Sequence, residues 1–138
     1  AIEVPSGQVG LVGQVGLSSP GRAGQAGLAG LSVSFYKMAR RRLNDISTVT
    51  AAIAVERDGA GVVSTARFCF GGVAATPLRV EAAEQAVVGR AWNDETLHRV
   101  QRVLGETLHP LSDHRGSREF RVAIAQSLVA KFAWEHLR

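Results

Sequence analysis

The stretch STVTAAIAVERDGAGVVSTARFCF, residues 47–70, decides the fold. Val49, Ala51, Ile53 and Val55 alternate with Thr48, Thr50, Ala52, Ala54 and Glu56. A period of two with β-branched residues predicts a strand over 47–57 with one buried face. Asp58-Gly59-Ala60-Gly61 predicts a turn, because Asp and Gly tolerate the backbone angles of a hairpin loop. Residues 62–70 return as the partner strand, with Val62, Ala66, Phe68 and Phe70 expected inward.

Outward from this hairpin, Gly71-Gly72 ends or kinks the strand. A helix is expected from Thr76 and Pro77, at its first turn, to Gly89 as its cap. Asn93 caps the next helix, with Asp94 and Glu95 where the helix dipole favours negative charge. Its apolar stripe is Leu97, Val100, Leu104 and Leu108, and His109-Pro110 stops it. Ser117 caps a third helix carrying Phe120, Ile124, Leu128 and Phe132. A further strand is expected over 32–38. The class is α+β: a small antiparallel sheet of two or three strands with about three helices packed on one face.

Composition bounds the function. The 138 residues allow one domain, and 46% hydrophobic with 20% charged residues can bury a core. No apolar run approaches the roughly 18 residues of a membrane span, and no signal peptide opens the sequence. Cys69 is the single cysteine, so this sequence supplies neither an internal disulfide nor a cysteine-built metal cluster. Placed between Phe68 and Phe70, it reads as packing, and it fits a reducing, cytoplasmic setting.

Glycine divides the chain near residue 34. Eight of the 15 glycines lie in residues 1–34, at 7, 10, 13, 16, 21, 24, 27 and 30. The step from Gly16 to Gly21 breaks any collagen register, and no phosphate-loop motif occurs. This stretch is expected to be a flexible, glycine-rich leader, because glycine loses most freedom on ordering. Leaving out Glu3 and Arg22 gives 15 basic and 11 acidic residues over 35–138, so the net +4 belongs there.

The densest charge is Lys37-Met38-Ala39-Arg40-Arg41-Arg42, followed by Asp45. Three readings stay open from the residues alone: a solvated turn, a site for an anionic cofactor or partner subunit, and a nucleic-acid patch. The last lacks stacking aromatics, a helix-turn-helix signature or finger spacing. His98, His109, His114 and His136 have no metal-helix spacing, and no catalytic or metal constellation is expected. Ser117, near His114 and Asp113, reads as a helix cap rather than a nucleophile, for want of a glycine elbow.

Four stretches carry a resemblance: YKMARRRLNDIS (36–47), FGGVAATPLR (70–79), GRAW (89–92) and PLSDHRGSREFR (110–121). In order and spacing they resemble the C-terminal subdomain of the FAD-binding part of molybdenum hydroxylases, the CO dehydrogenase flavoprotein C-terminal type. By eye they are most similar to the bacterial xanthine dehydrogenase small subunit. The resemblance covers residues 35–138 and leaves 1–34 without a counterpart.

The resemblance implies a flavin-side subdomain in an enzyme that passes electrons from molybdenum through 2Fe-2S clusters to FAD and on to NAD. Its partners would be upstream FAD and iron–sulfur domains and a molybdopterin-binding large subunit. Lys37 is the residue the family places near the flavin, with Arg41, Arg42 and Asp45 in the adjoining loop; Arg40 could replace either arginine. Xanthine, in purine catabolism, an aldehyde and carbon monoxide are all open as the oxidised substrate. The alternative is a non-catalytic interaction module whose basic 37–42 segment binds a partner or nucleic acid. The main FAD cradle and the cluster domains have no equivalent in 1–34, so the chain is expected to be a fragment that holds FAD weakly or not at all by itself. The remaining stretches imply structure: Gly71-Gly72 for close backbone approach, Arg79 pairing with Glu81 or Glu84, and Asp113 with Arg115 or Arg121 tying down the last loop.

Overall fold

A computed structural model describes residues 12–15, 30–39 and 46–137. The hairpin at its centre is β3 (Val49–Arg57) and β4 (Val63–Gly71), antiparallel as the alternation requires. Asp58 organises the turn: its side chain accepts the amides of Ala60 and Val62, both at 2.9 Å. On the other side of β3 lies β2 (Leu31–Met38), and β1 (Val12–Val15) pairs in turn with β2. A two-residue β5 (Leu78–Arg79) closes the opposite edge. The five strands thus run in chain order, each antiparallel to its neighbour. The sheet is larger than the two or three strands expected, because short edge strands carry too few residues to show a period. β2 begins at Leu31, ahead of the 34/35 composition boundary, so the sheet draws on the end of the glycine-rich stretch. β1 also lies within that stretch, whose residues 1–11 and 16–29 lie outside those described.

Three helices cover one face: α1 (Glu81–Gln85), α2 (Asp94–Thr107) and α3 (Arg118–His136). Asn93 accepts the Thr96 amide and Ser117 that of Phe120, so both expected caps form. Val49, Ala51, Ile53 and Val55 are buried against the helices with Phe68, Phe70, Val100, Leu104, Leu128 and Phe132. The α+β class with helices on one face holds. None of the helices is long and apolar enough to cross a membrane, among the described residues.

Three expectations are corrected. First, Val63 rather than Val62 points inward, because the register shifts: Glu56 pairs with Thr65 and Arg57 with Val63. Ser64 is the extra residue of this bulge, so the inward set is Val63, Ala66, Phe68 and Phe70 instead of an even alternation.

Second, no helix starts at Thr76 or Pro77. Leu78 and Arg79 extend the sheet, and Val80 donates its amide to Phe68 at 2.8 Å before α1 begins. Nor does Gly89 cap this helix: α1 ends at Gln85 with Ala86 as its C-cap, and Gly89, at φ 78°, lies in the turn beyond, its amide donating to Val63 at 2.8 Å.

Third, Phe120 is 50% exposed while Arg121 is buried. Helical rotation of about 100° per residue explains it. Repeated steps of four drift, leaving position 120 about 120° from position 132, whereas 121 lies within about 20° of it.

Candidate functional site

Lys37 lies near the end of β2, in one cross-strand row with Thr50 of β3 and Gly71 of β4. Tyr36 beside it is fully buried toward α3, its hydroxyl donating to Glu135 at 2.6 Å. Burial pushes the Tyr36 phenol pKa up, helped by that carboxylate, so it stays a neutral donor. Strand alternation therefore carries Lys37 to the opposite face, away from the helices, together with Phe35. Ala52 and Ala54 of β3 and Cys69 of β4 share that face.

Glycine shapes the row. A Cβ on Gly71 would lie 2.4 Å from the Thr50 hydroxyl oxygen. A Cβ on Gly72, at φ 78°, would lie 2.3 Å from the Thr48 carbonyl oxygen. The close approach expected of this pair is real, and it is what lets β3 and β4 end side by side.

Beneath this end of the sheet sits Arg121. Its guanidinium donates to the Thr48 carbonyl at 2.5 Å, to the Gly72 carbonyl at 2.9 Å and to Asp113 at 2.7 Å. Asp113 also accepts the amides of Arg115 and Gly116, at 2.8 and 3.2 Å. The Arg121 contact chiefly, with the Arg115 amide next, holds the Asp113 carboxyl down at about 2. Of the two partners expected for Asp113, Arg121 makes the ion pair, and Arg115 contributes only its backbone.

At the other edge Arg79 binds Glu84 with two hydrogen bonds, at 2.9 and 2.7 Å, and reaches Glu81 at 3.7 Å. Ser117 is a cap and Cys69 is half-buried in mid-strand. No group of three or more metal-ligating side chains occurs among the described residues. Of the expected cofactor-facing set, Lys37 is placed as above. Arg41, Arg42 and Asp45, with Arg40, lie outside the described residues.

Sequence reasoning undervalued Arg121, naming it only as one of two partners for Asp113. Its signal was present: Arg121, Ile124, Leu128 and Phe132 form a truer helical stripe than the one beginning at Phe120. Thr50 gave none, since a threonine on an alternating strand is ordinary.

As a test of fit to a flavin, the row offers an ammonium, a hydroxyl and a position without a side chain. That set suits the edge of a heterocycle bearing carbonyl and nitrogen acceptors. The described residues include no glycine-rich cradle for a pyrophosphate, so they fit one edge of FAD and not the whole of it.

Comparison with known proteins agrees along the chain. Residues 34–136 match the model of the CO dehydrogenase flavoprotein C-terminal domain. The chain is 34% identical over 96 residues to the putative xanthine dehydrogenase FAD-binding subunit of Escherichia coli K12, covering 70% of this chain and 32% of that protein. It is 29% identical over 96 residues to the glyceraldehyde dehydrogenase medium chain of Sulfolobus acidocaldarius, covering 70% and 34%. Among solved structures, carbon monoxide dehydrogenase from Hydrogenophaga pseudoflava superposes with a TM-score of 0.69 at 30% identity, covering 80% of this chain and 39% of that one. The chain spans about a third of the length of these curated relatives. On the match over residues 34–136, it belongs to the CO dehydrogenase flavoprotein C-terminal domain family.

Proposed function

We propose that this domain is the flavin-side part of the FAD-binding subunit of a molybdenum hydroxylase, with Lys37 facing the flavin. The observation that carries the reading is the Lys37–Thr50–Gly71 row on the sheet face opposite the helices. Arg41, Arg42 and Asp45 complete the site in this reading. FAD, when bound, supplies the electron and hydride chemistry. This chain's contribution is electrostatic and positional. The Lys37 ammonium places positive charge where a ring gaining electrons accumulates negative charge, and the Thr50 hydroxyl can donate to or accept from the same edge.

The partners follow from this role. The pyrophosphate would be held by a further FAD domain, 2Fe-2S clusters would deliver electrons, and a molybdopterin-binding subunit would oxidise the substrate. NAD would be the final acceptor, in the cytoplasm. The relatives' names span xanthine, glyceraldehyde and carbon monoxide dehydrogenases, a spread expected if the oxidised substrate is handled outside this domain. Among these, a xanthine dehydrogenase is our reading. With no pyrophosphate cradle among its described residues, the isolated chain should hold FAD weakly or not at all, and a stoichiometric flavin spectrum would overturn that.

The test is Lys37→Met in the complete enzyme. Flavin reduction potential or NAD reactivity should change while substrate oxidation with an artificial acceptor persists. If both activities fall together, Lys37 does not belong to the flavin side.

A further inference from the structure

We infer that Arg121 is a positioning residue for Lys37, acting from the opposite side of the sheet through Thr48; the inference rests on the reading of Lys37 above. The connection is a short chain of hydrogen bonds. Lys37 is followed by Met38, whose carbonyl accepts the Thr48 amide at 2.7 Å. The Thr48 carbonyl in turn accepts from Arg121 at 2.5 Å. The same guanidinium nitrogen holds the Gly72 carbonyl at 2.9 Å, one residue beyond Gly71 of the Lys37 row. One side chain thus holds the residue before β3, against which the end of β2 is registered, and the residue after β4, the next strand beyond β3.

Several features make this more than packing. Arg121 is 5% exposed, yet its direct anionic partner is Asp113, and its other two acceptors are backbone carbonyls. A buried cation is costly unless well bonded, so an apolar residue on the same stripe would be the simpler way to fill the core. Its Nε is buried without a hydrogen-bond partner, so its bonds are made by the terminal nitrogens, Nη1 to the Thr48 and Gly72 carbonyls and Nη2 to Asp113. The planar fork reaches three acceptors in fixed directions, which a lysine ammonium cannot reproduce. Gly72 also has no side chain because Arg121 and Thr48 occupy the space: its Cβ would stand 3.3 Å from the Arg121 nitrogen. The loop carrying Asp113 orients the fork from the other end.

The test uses the assembled enzyme containing this chain, with Arg121→Lys as the main variant and Asp113→Asn as the milder second. Amide hydrogen exchange at Thr48 should rise about tenfold or more in Arg121→Lys, corresponding to loss of a local bond, while Ile53 and Val55 at mid-strand stay as protected as before. The flavin midpoint potential should shift in the direction seen for Lys37→Met, by less. In the Lys37→Met background, Arg121→Lys should add no further shift. A rise at Ile53 equal to that at Thr48 would mean general destabilisation and overturn the proposal. So would local exchange at Thr48 with an unmoved potential when Lys37→Met moves it; Lys37 would then keep its role without Arg121. If Lys37→Met itself leaves the potential unmoved, the reading of Lys37 fails first and the positioning role goes with it. Should Arg121→Lys not assemble, Asp113→Asn must give the same pattern at reduced size, and its absence counts against the proposal.

Discussion

Glu84 Oε1 accepts the backbone amide of Phe68 at 3.1 Å, supplying from α1 a hydrogen bond that β5 is too short to make. Arg79, on that short strand, holds the same carboxylate with two hydrogen bonds. These bonds, Arg79 first, keep the Glu84 pKa below the usual carboxylate value despite burial.

Glu84→Ala should therefore destabilise the fold by about 3 kcal/mol, since it leaves a strand amide without its acceptor and Arg79 without its main partner. Urea unfolding with an unchanged slope would measure this. A loss below about 1 kcal/mol would show that water replaces the carboxylate at this edge.

Asp113 sets an acid limit. Its folded pKa of about 2 lies below the ordinary unfolded value of about 3.9. The stability it contributes is fully present above the unfolded value and is lost as pH falls through the folded one. The stability gap between the native sequence and Asp113→Asn should hold steady above about pH 5 and narrow between about pH 4 and 2. Asp113→Ala should lower the melting temperature at neutral pH, and unchanged melting would remove the tie between this loop and Arg121.

Gly72 and Gly61 share a left-handed backbone, at φ 78° and 79°, yet they differ in surroundings. An alanine at Gly61 meets nothing within 4 Å and should cost only the conformational term of about 1 kcal/mol. At Gly72 the added carbon meets the Thr48 carbonyl, so Gly72→Ala should cost about 2 kcal/mol more than Gly61→Ala. Equal losses in chemical denaturation would mean that Thr48 moves aside freely.

The Ser64 bulge makes a paired prediction. Val63→Ala should cost about 2 kcal/mol, because Val63 is 1% exposed. Val62→Ala should cost under about 1 kcal/mol, because Val62 is only half-buried. The reverse order in urea unfolding would place the bulge elsewhere.

Much of the fold was legible because its signals are local. The hairpin shows in the alternation of Val49 to Val55 and in Asp58, whose side chain organises its own turn. Asn93 and Ser117 reach amides three residues away. β5 escaped because two residues carry no period, and Thr76-Pro77 looked like a helix start when the edge of β4 was ready to pair with what followed. Phe120 misled because an intercept of four, repeated, leaves the buried stripe.

The site was only partly legible. Lys37 was identified through family resemblance, while its neighbours Thr50 and Gly71 come from strand register. Register depends on pairings that span 13 positions, Lys37 to Thr50, and 21 positions, Thr50 to Gly71, and no short window contains them.

By itself, then, the sequence determined the α+β class, the central hairpin, the two capped helices and the family. Each of these rests on spacing of a few residues or on order along the chain. The tertiary structure alone decided that Arg121 lies inside, 73 residues from the Thr48 carbonyl it holds, and that Glu84 completes a strand edge from a helix. A buried charge is tolerated only when acceptors converge on it, and here they converge from distant parts of the chain.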